Sequence, residues 1–434
     1  MNIAKKFFIA IILIFFSNLL GYSEEISLSQ ALDLVKKSNV DIQATKLQIE
    51  IEKNNYKKMV RFYNPSFDMG VNLGTAGKGE PYFLGVSQNL EILKRGIRRE
   101  IAKINIDLAE DKNKFNEFNM RMNVRQAYIK TVEAKSIYNT IEEQKIFLED
   151  VLKFAKQKSA KNKSNIDEMQ VEMAINYLTT ELNKARTEVQ TQKYNFNKVL
   201  NLKNCDIMYD SVDDLLEEKG NFIDLKTPNP NDNLPKYDEI AKNIANKRYD
   251  LKIAKQQMEI AKKELILLER ERIPDVRFSG GYLYNPKNHS TNKNYEGGAY
   301  IGLSLDSLPV FYNYSPEIKN AHINLLQKEL YYETLENIID SDLRTSYEKF
   351  LTAKVNLNYY HKNMLDKSEK FLDNAKFQYC KGNSDITTLI VMEKSYQKIR
   401  TGYVNALADY YLSWVEFITE LNDEDFKLSE IENL

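Results

Sequence analysis

The chain has 434 residues and a nearly balanced charge, with 61 Lys and Arg against 62 Asp and Glu. Charged residues make up 28% of the chain, which exceeds the charge density of an all-helical membrane bundle and excludes an inner-membrane transporter. The balance of charge also argues against nucleic acid as a partner, because nucleic-acid binding needs a basic face.

Glycine and proline are confined to a few parts of the chain. Eleven of the 15 glycines fall in two windows, 65–96 and 274–306, and none of the nine prolines occurs in 97–227 or 317–434. Long helices require such runs without proline and almost without glycine, because both residues disfavour a helix interior. The composition therefore predicts long helices joined by two short non-helical inserts.

The N-terminus has the pattern of a secretory leader. Met1 to Lys6 is a short positive segment, Phe7 to Leu20 is apolar, and Gly21 to Ser23 offers small residues for cleavage. We therefore predict a signal peptide over 1–23 and an exported mature protein. The alternative is an uncleaved anchor helix, but the apolar segment is shorter than the ~20 residues that a bilayer span needs.

The chain repeats itself once. At an offset of 209 residues, Asp41, Gln48 and Pro65 meet Asp250, Gln257 and Pro274. Each copy is predicted as a helix that stops at a proline, a β-hairpin and a long helical pair. The first repeat is 24–202 and the second is 236–434, with a linker rich in Pro, Asn and Asp at 203–235. The predicted opening helices and hairpins are 27–62 with 65–91, and 236–273 with 274–306.

Inside the two glycine-rich windows, apolar residues alternate with small or polar ones, which is typical of strands with one apolar face. The apolar positions are Phe67, Met69, Val71, Leu73, Tyr82, Leu84, Val86, Leu90, Val276, Phe278, Tyr282, Tyr284, Ala299, Ile301, Leu303 and Leu305. The opposite positions are mostly Gly, Ser, Asn and Asp, which suit a water-filled lumen better than a core. The alternative is a pair of hairpins packed on the helices of a soluble protein.

The strand count has a consequence for assembly. Strands of about ten residues match the ~9–11 of a tilted transmembrane β-strand. A bilayer tolerates only helices or closed barrels, and ~8 strands make the smallest barrel of one chain. Four strands that cross a membrane must therefore share a barrel with other copies of the chain.

The predicted helices have the pattern of a coiled coil. Apolar residues recur at spacings of three and four in 171–199, at Val171, Ala174, Leu178, Leu182, Ala185, Val189, Phe196 and Val199. A helix from about Ile97 to Asn162 would be about 100 Å long. A soluble periplasmic coiled-coil scaffold without a pore is the alternative that explains these helices.

The sequence lacks the patterns of a catalytic or metal site. His289, His322 and His361 lie far apart, and Cys205 and Cys380 have no ligand spacing around them. There is no phosphate-binding glycine loop and no nucleophile elbow. We therefore predict that the protein is not an enzyme and needs no cofactor or metal.

Taken together, the leader, the helix that ends at a Pro-initiated hairpin, the long helical pair and the second copy resemble the TolC-like outer-membrane efflux proteins. The stretch from Lys376 to Asp385 is similar to the family's turn before a Leu-rich return helix. Leu308 to Phe311, followed by Glu317 to Ala321, is similar to its strand-to-helix exit, and Leu93 to Ala102 is the weaker first copy.

This resemblance implies a fold that is mainly α with a small transmembrane β part. Three chains of four strands would form one twelve-stranded barrel in the outer membrane, and the helices would continue it as an α-helical tunnel through the periplasm. The homotrimer would be the passive exit duct of a tripartite efflux pump or of a type I secretion system. Its partners would be a periplasmic adaptor protein, an inner-membrane pump and outer-membrane lipid, with the cargo left open.

The resemblance also implies two sets of site residues. The adaptor-docking turns at the periplasmic tip match Lys161, Asn162, Lys163, Ser164, Asn165, Lys381, Gly382, Asn383, Ser384 and Asp385. The family's acidic aperture ring falls on Thr388 and Val391, which carry no charge, so Asp167 and Glu168 become the candidate aperture carboxylates. Gly382 also suits a tight left-handed turn, for which Asn162 is the usual second choice.

Overall fold

A computed structural model describes residues 23–71, 82–162, 165–202, 207–216, 227–228, 237, 248–284, 297–306, 312–424 and 426. Several sequence predictions lie wholly or mostly outside these residues: the signal peptide, the two hairpin turns, most of the linker, Leu73, Cys205, His289, and Leu308 to Phe311.

The first-repeat elements are β1 (Ser23–Ile26), α1 (Leu28–Ser38), α2 (Val40–Val60), β2 (Ser66–Val71), β3 (Tyr82–Leu90), α3 (Arg95–Asn162) and α4 (Ile166–Leu200). Strand β4 (Met208–Ser211) lies within the predicted linker. The second repeat contributes α5 (Tyr249–Glu271), β5 (Asp275–Tyr284), β6 (Gly298–Asp306), α6 (Ser315–Tyr359), a π-helical turn (Tyr360–Leu365), α7 (Asp366–Cys380) and α8 (Ile386–Leu421). The long helix predicted from about Ile97 to Asn162 is confirmed.

The chain divides into two compact units, and neither coincides with a sequence repeat. The first unit comprises Met1–Ala44, Lys114–Arg248 and Ile338–Leu434, and the second comprises Thr45–Asn113 and Tyr249–Asn337. Each unit therefore takes residues from both repeats, so the repeats are copies in sequence rather than separately packed bodies.

In the first unit, the helix predicted over 27–62 begins as α1 and is broken at Asn39. Ser27 starts α1 with a capping box, in which its hydroxyl and the Gln30 side chain each accept the other residue's backbone N–H. The buried Asn39 side chain accepts from the N–H groups of Asp41 and Ile42 and donates to the Leu200 carbonyl at 2.9 Å. A single asparagine thus ends one helix and caps the next.

The first unit has an aromatic core around Trp414. The ring of Phe350 lies 5.0 Å from that of Trp414 and 6.2 Å from that of Phe417, and Tyr128 packs edge-on against Phe196 at 5.7 Å. All five side chains are buried. Strand β4 pairs in parallel with β1, so part of the predicted linker belongs to a two-stranded sheet beside this core.

A second apolar cluster of the first unit joins the paired helices. The predicted seam of α4 is largely confirmed, because Val171, Ala174, Leu178, Leu182, Ala185 and Phe196 are buried. Five of these pack in one cluster with residues of three other helices, namely Ile141, Leu148, Val151 and Ala155 on α3, Leu372 and Tyr379 on α7, and Ile386 and Leu389 on α8. The helical pairs of the two repeats therefore share one core.

The second unit contains one antiparallel sheet in the order β2-β3-β5-β6. Both predicted hairpins are present, and the central pairing of β3 with β5 joins the two repeats, with Leu84 opposite Tyr282 and Gly85 opposite Gly281. The outer strands β2 and β6 each have one neighbour among the described residues. Within the part of the chain that the structure describes, the sheet is therefore open at both edges.

Candidate membrane-facing sheet and helical tip

One side of the four-stranded sheet presents large apolar side chains to solvent. Their exposed fractions run from 45% at Val71 to 80% at Ile301. The set comprises Phe67, Met69, Val71, Tyr82, Leu84, Val86, Phe278, Tyr282, Tyr284, Ile301, Leu303 and Leu305. The register aligns these residues on the same side, because partners that lie opposite each other in an antiparallel pair share a face. An apolar surface of this kind needs an apolar environment.

The other side of the sheet is polar and less exposed. Ser87 is buried, and near the ends of the strands Asn89, Arg277 and Asp306 form a network. Asn89 donates to the Asp306 carboxylate at 2.8 Å, and the Arg277 guanidinium donates to the Asn89 side-chain oxygen at 2.9 Å and to Asp306 at 3.0 Å. Charged and amide side chains of this kind suit a surface that faces water.

Aromatic rings on the polar side lie over glycines of neighbouring strands. The Tyr300 ring covers Gly85 and Gly281, and the Phe83 ring covers Gly70. A side chain at any of these glycines would overlap the ring above it. Ring-over-glycine pairs of this kind help to fix the register of strands.

The second-copy turn is closed by a glycine, as the sequence predicts. Gly382 has a φ of +79°, in the left-handed region, and follows the end of α7. The N–H of Asn383 bonds the Gln378 carbonyl at 3.0 Å and that of Gly382 bonds the Tyr379 carbonyl at 3.0 Å, which is the Schellman pattern. Lys381, Gly382 and Asn383 are exposed, so the turn presents its surface to solvent.

Asp385 starts the return helix α8. Its carboxylate accepts from the Thr388 backbone N–H at 2.9 Å and from the Thr388 hydroxyl at 2.5 Å. These bonds to the charged form hold the pKa of Asp385 below its usual range. Asp385 is thus an N-cap in addition to being a predicted tip residue.

In the first-copy turn, Lys161 and Asn162 end α3, and Asn165 directly precedes α4. Lys163 and Ser164 lie outside the described residues. The turns of the two copies are neighbours, because Thr387 on α8 donates to the Gln170 side chain on α4 at 3.3 Å. The structure therefore brings the described parts of both predicted tip segments together.

The two candidate aperture carboxylates have basic partners that the sequence analysis missed. Asp167 pairs with Lys158 at 2.9 Å and accepts from the Tyr379 hydroxyl at 3.2 Å, and Glu168 lies 3.9 Å from Lys156. Burial raises the pKa of Tyr379, and the nearby charge of Asp167 adds to the effect. The signal in the sequence is the lysine-rich end of α3, which lies against the start of α4.

No group of three His, Cys, Asp or Glu residues in the described part of the chain could hold a metal ion. His361 stacks on the Tyr403 ring at 6.2 Å, and Cys380 is exposed with a free thiol. Within the described ranges, the helices include none that combines the length and the apolar character needed to cross a bilayer.

Comparison of the sequence with protein-family models and with curated proteins finds no match. Solved structures, by contrast, match over most of the chain. The CmeC outer membrane channel of Campylobacter jejuni is 13% identical, with a TM-score of 0.71, over 94% of this chain and 88% of that one. The outer membrane protein VceC of Vibrio cholerae is 13% identical, with a TM-score of 0.71, over 91% and 96%.

The CusC structure, which was described in connection with folding and transmembrane channel formation, gives a TM-score of 0.72 at 13% identity over 93% of each chain. The chain therefore has the fold of the TolC-like outer-membrane channels, mainly helical with a small β part. This confirms the predicted fold of a single chain, mainly α with a small β part, and the predicted resemblance to that fold.

Proposed function

We propose that the protein is a homotrimeric outer-membrane channel, the passive exit duct of a tripartite efflux pump or of a type I secretion system. The observation that carries the proposal is the sheet whose exposed side is apolar and whose opposite side is polar. This is the reverse of a sheet in a soluble protein, where the apolar side is covered, and it is the pattern of a barrel wall between lipid and water.

The open edges of the sheet support the trimer. Strand β2 of one chain and β6 of the next would pair, so that three sheets of four strands close a barrel of twelve. A closed barrel leaves no backbone group of the wall without a hydrogen-bond partner in lipid. The fold shared with known outer-membrane channels supports the same assembly, with the barrel in the outer membrane and the helices in the periplasm.

The energy for export would come from partners. A periplasmic adaptor and an inner-membrane pump would dock at the helical tip, at the residues that the sequence analysis names: Lys161, Asn162, Lys163, Ser164, Asn165, Lys381, Gly382, Asn383, Ser384 and Asp385. The exposure of Lys381, Gly382 and Asn383 supports a docking role for the second-copy turn.

Asp167 and Glu168 are proposed to make the narrow end of the duct cation-selective. Three chains would place six of these carboxylates around one axis, and a carboxylate ring favours cations. Lys158 and Lys156 offset part of the negative charge of these carboxylates, so the preference for cations is modest. The preference also falls at high salt, because salt screens the remaining charge.

Planar-bilayer recordings of the purified full-length protein test both parts of this proposal. We expect discrete conductance steps with a preference for cations. Asp167→Asn/Glu168→Gln should reduce that preference, whereas Glu181→Gln, an ion-paired glutamate further along α4, should leave it unchanged. Insertion without conductance would contradict the channel, and unchanged selectivity in the double variant would contradict only the aperture.

A further inference from the structure

A cavity of about 320 Å³ lies where strand β3 passes into helix α3. It belongs entirely to the second unit. The lining residues that matter here are Phe62, Leu90, Glu91, Arg95, Gly96 and Arg99. Two arginines and one aromatic ring therefore meet at the end of the sheet.

The cavity is electropositive. The Arg95 guanidinium is held over the Phe62 ring at 3.7 Å and donates twice to the Val60 carbonyl, at 3.0 and 2.7 Å. These bonds use two of its five N–H groups and leave the planar fork fixed in position. Arg99 is exposed beside it. The one carboxylate of the lining, Glu91, is paired with Arg98, which leaves the charge of Arg95 and Arg99 in excess.

Apolar side chains border the cavity beside the two arginines. Leu90 lies in the same alternation as Leu84 and Val86, so the apolar side of the sheet runs into the cavity. Phe62 and Ile92 are 58% and 69% exposed at its rim. A free anion gains nothing from contact with apolar side chains. A molecule with an anionic headgroup and an apolar body can contact both the arginines and the apolar side chains.

We propose that this cavity binds the headgroup of an anionic phospholipid, with its acyl chains lying along the apolar side of the sheet. The phosphate would bind Arg95 and Arg99, because guanidinium groups recognise phosphate oxygens through paired hydrogen bonds. Basic and aromatic side chains are the usual anchors at the boundary between lipid and water. The inference rests on the proposed membrane location, and it adds a specific ligand class to the sheet's exposed surface.

Gly96 provides a variant that blocks the cavity without disturbing the fold. A Cβ placed on Gly96 meets nothing within 4 Å, so a longer side chain enters open space. Gly96→Glu would place a negative charge beside both arginines, and Gly96→Ala is the matched control that adds no charge. Glycine is also an unfavourable residue in a helix, so neither change should weaken α3.

The test is titration of the detergent-extracted full-length oligomer with phosphatidylglycerol and, separately, with phosphatidylcholine. We expect preferential binding of phosphatidylglycerol, a loss of about fivefold in affinity for Arg99→Gln, and a further loss of similar size for Arg95→Gln/Arg99→Gln. Gly96→Glu should weaken binding, whereas Gly96→Ala and Arg186→Gln, an arginine on α4, should not.

Equal binding of the two lipids by an intact, detergent-dependent oligomer would overturn the lipid proposal and leave the channel standing. So would unchanged affinity in the double arginine variant, or full displacement of phosphatidylglycerol by an excess of inorganic phosphate. A protein recovered from the cell without detergent would instead contradict the proposed function itself.

Discussion

Gly280 and Gly281 are adjacent on strand β5 but point to opposite sides of the sheet. A side chain at Gly281 would overlap the Leu84 carbonyl oxygen and the backbone of Gly85, whereas one at Gly280 would lie 3.6 Å from the Tyr300 carbonyl oxygen, an ordinary contact. We expect Gly281→Ala to lower the free energy of unfolding by about 1–3 kcal/mol, because it forces β3 and β5 apart.

Gly280→Ala is the matched control, with an expected change well below that of Gly281→Ala. Thermal unfolding of the two variants in the same detergent provides the comparison. Equal destabilisation would mean that β3 and β5 are not in close contact at this point.

Glu393 on α8 gives a prediction about pH. Its side chain is 1% exposed, and one carboxylate oxygen has no hydrogen-bond partner among the described residues. Burial raises the pKa of Glu393 to about 7, and the charge of Lys394 offsets part of this. Between about pH 4.5 and 7, Glu393 stays protonated in the folded chain but is ionised in the unfolded chain. The free energy of unfolding therefore falls as pH rises from about 4.5 to 7.

Glu393→Gln mimics the protonated form and should remove that loss. We expect the variant to be more stable than the wild type at pH 8, by up to about 3 kcal/mol, and similar to it at pH 4. The exposed Glu149→Gln serves as the control. The measurement is the melting temperature of each variant at both pH values. A Glu393→Gln variant that is no more stable than the wild type at pH 8 would contradict a buried, protonated carboxyl at this position.

Single residues differ in how far their roles could be predicted. The role of Gly382 follows from sequence, because a left-handed turn is a local requirement that glycine meets best. The contact of Asp167 with Lys158 and Tyr379 could not be predicted, since it joins α3, α4 and α7. The same holds for Asn39, whose helix-breaking role depends on the Leu200 carbonyl, 161 residues away.

At the scale of elements, strand β6 allows a direct test of which side of the sheet faces lipid. Leu303 and Ser304 are adjacent and both exposed, but they lie on opposite sides. We expect Leu303→Arg to cost about 2–4 kcal/mol if the strand crosses a bilayer, and to deplete the protein from the outer membrane.

Ser304→Arg should cost much less, because the arginine would point into water, which screens its repulsion from Arg277 on the opposite strand. Quantification of both variants in the outer-membrane fraction is the measurement. Similar levels of the two variants would contradict a lipid-facing apolar side.

The strands and long helices were predictable because their signals are periodic and local. The alternation in 65–91 and 274–306 predicts both hairpins, and the absence of proline predicts α3. The pairing of β3 with β5 was not predictable, since nothing in either hairpin's own sequence specifies its neighbour. The π-helical turn Tyr360–Leu365 is also absent from the prediction, because its hydrogen-bond shift leaves no periodic mark in a helical sequence.

At the scale of the whole molecule, the sequence repeat and the packed units describe different things. The repeat is a similarity between two halves of the sequence, whereas each packed unit combines parts of both halves. The sheet, in turn, is incomplete as a barrel, because β2 and β6 have no second neighbour among the described strands. A bilayer does not tolerate open edges, so a membrane-spanning sheet of this kind requires copies of the chain to complete one another.

The native mass of full-length protein extracted from the cell envelope in mild detergent tests this requirement most directly. We expect a homotrimer that is found in the outer-membrane fraction and depends on detergent for its solubility. A monomer or dimer released by osmotic shock would contradict it, because the apolar side of the sheet would then be covered by something other than lipid.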